Sequence, residues 1–471
     1  MRGELEDTIC AIATAAGEGG IGILRLSGPE SVRIAATVAR LKSGHPLQSL
    51  PSHTLRLADV VLPSGLAHSG GVTLPEGRMI DQALVVYMRR PRSFTGEDVV
   101  EIHSHGGGLL LSLLCRACVD NGARMAEPGE FSKRAFLNGR LDLSQAEAVL
   151  DTIRARSVRS LTVAQRQLRG ELAREVASTR SALLTVLAHV EAGIDFAEED
   201  IAFIAKPELK QAIDNASRQV RRLEATAREG RLLREGARVV IVGKPNVGKS
   251  SLLNRLLKVD RAIVTELPGT TRDVIEESLN LDGLMIYLVD TAGIRETEDV
   301  IELEGIKRSR SAQGDADLQL VVIDGSRPLS REDLDLIDRV KSGKHLNVIN
   351  KADLQQEIDA EVLGNQTQWV RISAKTGQGI EELRKAIRSQ FLRSDGEPPE
   401  GTIVTNVRHQ VALQRAEESL CQASHSIDEG MAPELLALDV RAAADALGEI
   451  TGEITTDEIL DRIFAEFCIG K

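Results

Sequence analysis

The stretch GKPNVGKS, residues 243–250, constrains this chain more than any other. It sits between ARVVIV, a β-branched apolar run, and SLLNRLL, a helical run. That order predicts a strand, a tight turn and a helix. Gly243 and Gly248 permit backbone conformations that turn the loop amides inward, towards phosphate oxygens. Lys249 can neutralise β- and γ-phosphates, the Ser250 hydroxyl can bind Mg²⁺, and the helix N-terminus adds its dipole. Asn246, Val247 and Ser251 complete the segment that would enclose the phosphates.

Further signals follow in the right order. DTAG, residues 290–293, comes after LMIYLV. Asp290 can hold a magnesium-bound water and the Gly293 amide can reach a γ-phosphate, with Thr291 and Ala292 between them. NKAD, residues 350–353, comes after HLNVI and supplies Asn350, Lys351 and Asp353. The Asp353 carboxylate can accept both N–H groups on guanine's N1 and N2 edge. Adenine offers no matching pair, and the polar groups left unpaired make such discrimination large. Ser373, Ala374 and Lys375 follow another apolar run and can present a backbone amide to guanine O6. Together these motifs point to a GTPase. TELPGTTRD, residues 265–273, lies where a Ras-like switch I would, with Thr271 a candidate second Mg²⁺ ligand. The residue after DTAG is Ile294. An apolar side chain cannot orient a water, so hydrolysis must draw on another group and another cation.

At 471 residues the chain has room for roughly two to four domains. Composition divides it into four regimes. Residues 1–122 mix short β-like runs with one or two helices and read as an α/β domain. Residues 123–235 are helical, with Gly170 and Gly193 as interruptions and Pro207 in a first turn. Residues 236–394 alternate five apolar runs with helices, the pattern of a mostly parallel sheet. Residues 395–471 return to helix after the linker SDGEPPEG. The economical reading is a multidomain α/β and α protein, with an N-terminal α/β domain and a helical domain interrupted by an inserted Ras-like P-loop domain.

The formal net charge of −12 argues against non-specific nucleic-acid binding over the whole surface. No apolar run approaches a membrane span, and acidic residues stand where a signal peptide would be basic, so a cytoplasmic location is expected. The five cysteines (Cys10, Cys115, Cys118, Cys421, Cys468) are odd in number and scattered, which argues against a disulfide framework. Cys115 and Cys118 form one CxxC in an apolar helical run and read as buried structural thiols. His103 and His105 alternate along a strand and share a face, but a metal would need a further ligand. Cys468 stands fourth from the end, yet Gly470 and Lys471 do not fit a prenylation signal.

The motifs GGIGILRLSG, SFTGEDVVEIHSHGG and EPGEFSKRAFLNGRLDLSQAEAV, the nucleotide motifs and the ending FCIGK together resemble, over essentially the full length, the MnmE (TrmE) family of tRNA-modification GTPases. The resemblance implies a homodimer that works with an MnmG (GidA) flavoprotein on the wobble uridine of certain tRNAs, without a membrane anchor. It implies K⁺ activation, with Asn246, Thr265, Leu267 and Thr270 around the ion. It implies Mg²⁺ held by Ser250 and Thr271, and Glu302 as the residue that orients water. It further implies an N-terminal fold that binds 5-formyl- or methylene-tetrahydrofolate through Arg25, Glu101, Arg140 and Lys471. In that context Cys468 becomes a reagent candidate: a thiolate adding to C6 of uracil makes C5 nucleophilic, and Lys471 would favour the thiolate. Arg154, Arg156, Arg159, Arg166 and Arg169 mark a basic helical stripe, read as a solvated face, with a tRNA phosphate track as the alternative. The rival reading is a regulatory GTPase switch in ribosome assembly. Such proteins usually append an RNA-binding module, and no convincing one is visible here.

Overall fold

A computed structural model describes residues 7–61, 79–195, 205–260, 277–290, 316–341, 343–358, 369–391 and 401–470. Thr265, Leu267, Thr270, Thr271, Thr291, Ala292, Gly293, Glu302 and Lys471 lie outside them, and Asp290 is described by its backbone alone. The chain forms two compact units, Met1–Leu150 with Gly448–Lys471, and Asp151–Leu447.

The first unit is built on a seven-stranded sheet in the order β3-β4-β5-β6-β2-β1-β7. Its strands are β1 (Ile9–Ile12), β2 (Gly19–Ser27), β3 (Ala39–Leu41), β4 (Arg56–Val61), β5 (Met79–Met88), β6 (Val99–Gly106) and β7 (Arg124–Met125). All pairings are antiparallel except β1 with β7. Alternation along β6 decides which side chains meet which face. Val100 and Ile102 join Cys10, Leu24 and Leu26 in a core with the helices Ser31–Val38 and Gly108–Asp120. Cys115 and Cys118 are buried in that core as well. Glu101 and His103 point the other way. On that side Ile9 and Ala11 pack with Ala126 and with Phe131, the latter in the Glu130–Leu137 helix.

Composition and packing group some residues differently. Leu143, Ala146 and Leu150 pack with Leu460, Phe464 and Phe467 from the C-terminus. An amphipathic helix goes with whichever apolar face it covers, which a composition boundary does not record.

The second unit contains a six-stranded sheet in the order β13-β12-β11-β8-β10-β9. The strands are β8 (Ala237–Val242), β9 (Glu277–Leu281), β10 (Leu284–Asp290), β11 (Leu318–Asp324), β12 (His345–Asn350) and β13 (Trp369–Arg371). Every pairing is parallel except β9 with β10. The β8 and β11 side chains are buried on both faces: Val239 and Ile241 in one cluster, Val240 and Val242 in another. That is why these strands read as unbroken apolar runs. The edge strand β9, ESLNL, escapes that reading because only alternate residues are buried.

Besides the sheet, the unit holds helices that lie before and after it in sequence and pack together. Glu417 of the Val407–Asp428 helix accepts from Ser217 and Arg221 of the Lys206–Glu224 helix. Pro207 lies in the first turn of the latter, as expected. Gly170, at φ +76°, separates Val158–Leu168 from Glu171–Asp195, whereas the second of these runs through Gly193 without a break. Among the described residues no helix is long and apolar enough to cross a membrane.

Candidate nucleotide and N-terminal sites

The GKPNVGKS loop leaves the C-terminal end of β8, at the centre of the parallel sheet, where ligands of open α/β folds bind. Its shape is forced by close approaches. A Cβ on Gly243 would lie 2.5 Å from the Val322 carbonyl oxygen, and one on Gly248 would lie 2.3 Å from Asn350 Nδ2. Asn246 has φ +63°, a conformation that asparagine tolerates better than most residues. Lys249 Nζ donates to the Gly243 and Lys244 carbonyls, both at 2.8 Å. Ser250 and Ser251 follow in the first turn of the Lys249–Asp260 helix, exposed.

The base-side motifs converge on the same loop. Asn350 is 2% exposed, its Nδ2 donates to the Val247 carbonyl at 2.8 Å, and its Oδ1 accepts from the Ala374 amide at 3.0 Å. This one side chain ties the phosphate loop, NKAD and the Ser373–Lys375 segment together, so its amide is spent on architecture. Asp353 is exposed and accepts from Ser373 Oγ at 2.6 Å. That bond, with Lys375 and Lys351 nearby, holds its carboxyl below the usual range. An ionised, oriented carboxylate at this position is what guanine's paired donors require. Lys351, at φ +67°, donates to Asp324 Oδ2 at 2.6 Å.

Sequence reasoning missed Arg255. From the Lys249–Asp260 helix its guanidinium donates to the Ala374 carbonyl at 3.1 Å and to the Lys375 carbonyl. A lone arginine in an amphipathic helix gives no signal of that role. For metals, the Ser250 hydroxyl and the Asn246 amide are the side-chain oxygen donors on the described loop, and both suit hard cations.

In the first unit, register places the second constellation. Ala11, Arg25 and Glu101 are direct cross-strand partners on β1, β2 and β6. Arg25 Nε donates to Glu101 Oε1 at 2.8 Å, with side chains 18% and 14% exposed. His103 Nε2 lies 3.0 Å from Glu101 Oε2. Burial alone would raise the Glu101 carboxyl; the bonds from His103 and Arg25 outweigh it and hold the group below the usual range. The Arg25 guanidinium also lies over the Phe131 ring, 5.6 Å from its centroid.

The tail reaches this cluster. Arg25 Nη1 donates to the Gly470 carbonyl at 3.3 Å, and a Cβ on Gly470 would lie 2.3 Å from the Ile12 carbonyl oxygen. Phe467 is buried, and the Gly129 amide donates to the Cys468 carbonyl at 3.5 Å. Gly129, at φ +67°, admits the close approach: a Cβ there would lie 2.6 Å from the Phe464 carbonyl oxygen. Cys468 itself is exposed. Arg140 is anchored on the 93–97 loop, donating to the Ser93 carbonyl at 3.1 Å. His105 turns to Asp81 at 2.7 Å.

The basic stripe is not a uniform solvated face. Arg159 is buried and pairs with Glu229 at 3.2 Å, while Arg156 donates to the Tyr287 hydroxyl at 3.0 Å. Both arginines serve packing against the helix Ala227–Glu235 and the β9–β10 hairpin.

Family models described as "GTP-binding protein TrmE N-terminus" and "MnmE helical domain" match residues 8–140 and 143–468. The tRNA modification GTPase MnmE of Clostridioides difficile is 43% identical over 470 residues, covering 99% of this chain and 100% of the relative. That of Heliobacterium modesticaldum is 46% identical over 474 residues, covering 99% of each. Among solved structures, the G domain of the T. maritima FeoB iron transporter is 28% identical, covering 33% of this chain and 98% of that one, with a TM-score of 0.26.

Proposed function

The chain belongs to the MnmE family of tRNA-modification GTPases, and from that premise we propose that it hydrolyses GTP in the cytoplasm and couples the reaction to modification of the wobble uridine of certain tRNAs. The observation that carries the nucleotide reading is Asn350, whose two hydrogen bonds hold the phosphate loop and the guanine loop in one frame. In that frame Asp353 reads the base, Ser373, Ala374 and Lys375 close over it, and Lys249 leaves its loop carbonyls for the β- and γ-phosphates. Bound Mg²⁺ and K⁺ supply positive charge to the phosphates. Ser250 and Thr271 would hold the first, and Asn246, Thr265, Leu267 and Thr270 the second. By the family's motif, Asp290, Thr291, Ala292 and Gly293 would serve the γ-phosphate, and Glu302 would orient the attacking water.

Modification belongs to the Arg25 cluster. Glu101 offers a carboxylate to the donor edge of a pterin, and Arg25 ties it to the tail carrying Cys468 and Lys471. Arg140 adds positive charge to the same domain. The reduced folate, as 5-formyl- or methylene-tetrahydrofolate, supplies the one-carbon unit. Cys468 would add at C6 of the uracil, C5 would form its bond to the one-carbon unit, and loss of the C5 proton would expel the thiolate and restore the ring. The product is an aminomethyl or carboxymethylaminomethyl uridine, made by a homodimer together with an MnmG-type flavoprotein. Mass spectrometry of wobble nucleosides from cells with and without the protein tests the proposal. An unchanged nucleoside profile would overturn it. Hydrolysis at equal rates in Na⁺ and K⁺ would remove the potassium part alone.

A further inference from the structure

The segment Asp324–Asp333, DGSRPLSRED, carries none of the nucleotide motifs, yet lysines from two of them end on it. Lys351 of NKAD donates to Asp324 Oδ2 at 2.6 Å. Lys244, the second residue of the phosphate loop, lies 2.7 Å from Asp333 Oδ2 and donates to Ser330 Oγ at 2.6 Å. Ser330 caps the Arg331–Val340 helix, and Asp333 closes the capping box by accepting from the Ser330 amide at 3.0 Å and its hydroxyl at 2.8 Å. At the other end, Asp324 Oδ1 accepts from the Ser326 amide and hydroxyl at 3.0 and 2.6 Å.

A lysine in a phosphate loop invites assignment as a second phosphate cation. The geometry here speaks against that. Asp333 is 6% exposed, and its one basic partner among the described ion pairs is Lys244. Withdrawing the ammonium would strand a buried carboxylate. Burial would raise the Asp333 carboxyl, but the bonds from Lys244 and Ser330 outweigh it and hold the group below its usual range. Meanwhile the backbone carbonyl of Lys244 accepts from Lys249 Nζ at 2.8 Å. The side chain that is pinned and the carbonyl that parks the phosphate-binding lysine belong to one residue.

We propose that Asp324–Asp333 braces the nucleotide pocket from behind, and that Lys244 is a positioning residue fixing the loop on which Lys249 is parked. The inference rests on the reading that this loop holds a guanine nucleotide. A brace acts on loop geometry before either nucleotide arrives, so it affects GDP and GTP alike. A phosphate ligand would favour one.

The test uses the full chain and fluorescent mant-GDP and mant-GMPPNP. Lys244→Met should weaken both by about tenfold and to the same extent. Lys244→Arg should restore most of the loss, because a guanidinium reaches the same carboxylate. Asp333→Asn should weaken both nucleotides in the same way. The Lys244→Met, Asp333→Asn double variant should be little worse than either single variant, because one interaction is being removed twice. Ser330→Ala, which leaves the ion pair intact, gives a milder loss in the same direction and serves if Lys244→Met does not fold. Selective loss of mant-GMPPNP, multiplying losses in the double variant, or wild-type binding by Lys244→Met and Ser330→Ala would each overturn the brace. Failure of the unmodified chain to bind mant-GDP would instead overturn the nucleotide reading.

Discussion

The nucleotide loops and the Arg25 cluster use the same devices, close glycine approaches and shared hydrogen bonds, over very different spans of chain. Phosphate and guanine loops leave the ends of β8 and β12 and the segment after β13, strands of a single parallel sheet. Each motif is local, and Asn350 only has to join neighbours. The Arg25 cluster instead joins β2 and β6 to a tail 445 residues from Arg25 in sequence. A site of the first kind is preorganised by backbone geometry that a short sequence can encode. One of the second kind depends on the unit's whole fold, including a terminus that must be fastened twice, at Gly129 and at Ile12.

That contrast can be broken at its glycines. Gly248→Ala puts a methyl 2.3 Å from the Asn350 amide at φ +96°, where a side chain is strained in any case. Isothermal titration should show nucleotide affinity falling by about a hundredfold or more, with modification lost in consequence. The matching change in the tail, Gly470→Ala, puts a methyl 2.3 Å from the Ile12 carbonyl oxygen at φ +93°. Here modification should fall by about tenfold while GTP turnover holds. Equal loss of both activities would erase the distinction between the sites. Cys468→Ser sharpens the same point without steric change: modification is abolished, and hydrolysis of GTP continues.

A smaller effect concerns what holds the N-terminal unit rigid. Arg134 is 1% exposed and donates to Glu130 at 3.0 Å, to Asp7 at 2.7 Å and to Glu97 at 3.2 Å. Arg134→Ala removes a buried partner from all three carboxylates, although Arg124 still reaches Asp7 and Glu130, and denaturant unfolding should register a loss of about 3 kcal/mol. The nucleotide affinity of the other unit should stay as it was.

The smallest effect is a pH dependence. Burial would raise the Glu130 carboxyl, but bonds from Arg124, the Glu127 amide and Arg134 outweigh it and depress the group below its ordinary 4.5. The folded state then binds its proton less readily than the unfolded chain does. The stability contributed is full above about pH 4.5 and is lost as the pH falls through the lower folded value. Glu130→Gln should therefore differ from the parent in thermal midpoint at pH 6 and converge on it as the solution is acidified below that window. A constant gap across the range would show that the charge of Glu130 is not what matters.

Much of the nucleotide half was legible in the chain. Periodicity marked β8, β10, β11, β12 and β13, and the glycines of GKPNVGKS marked a turn. β9 was not legible, because polar residues alternate along an edge strand that one neighbour completes. Lys244, Arg255 and Arg159 were not legible either: a basic side chain in a loop or helix looks the same whether it meets solvent, a carbonyl or a buried carboxylate. In the N-terminal half, the alternation of His103 and His105 showed that they share a face, without showing that His103 meets Glu101 or that Arg25 lies across from Glu101.

The amino-acid order by itself determined the turn at GKPNVGKS and the apolar runs that became β8, β10, β11, β12 and β13, because those depend on residues a few places apart; β9 and the unbroken helix through Gly193 did not follow from it. Only the tertiary structure decided that Asn350 is a fastener rather than a free contact, that Asp333 takes the charge of Lys244, and that Gly470 lies against β1 beside Arg25. Such pairings are fixed by burial, which leaves a charge or an amide no partner except the one packing delivers.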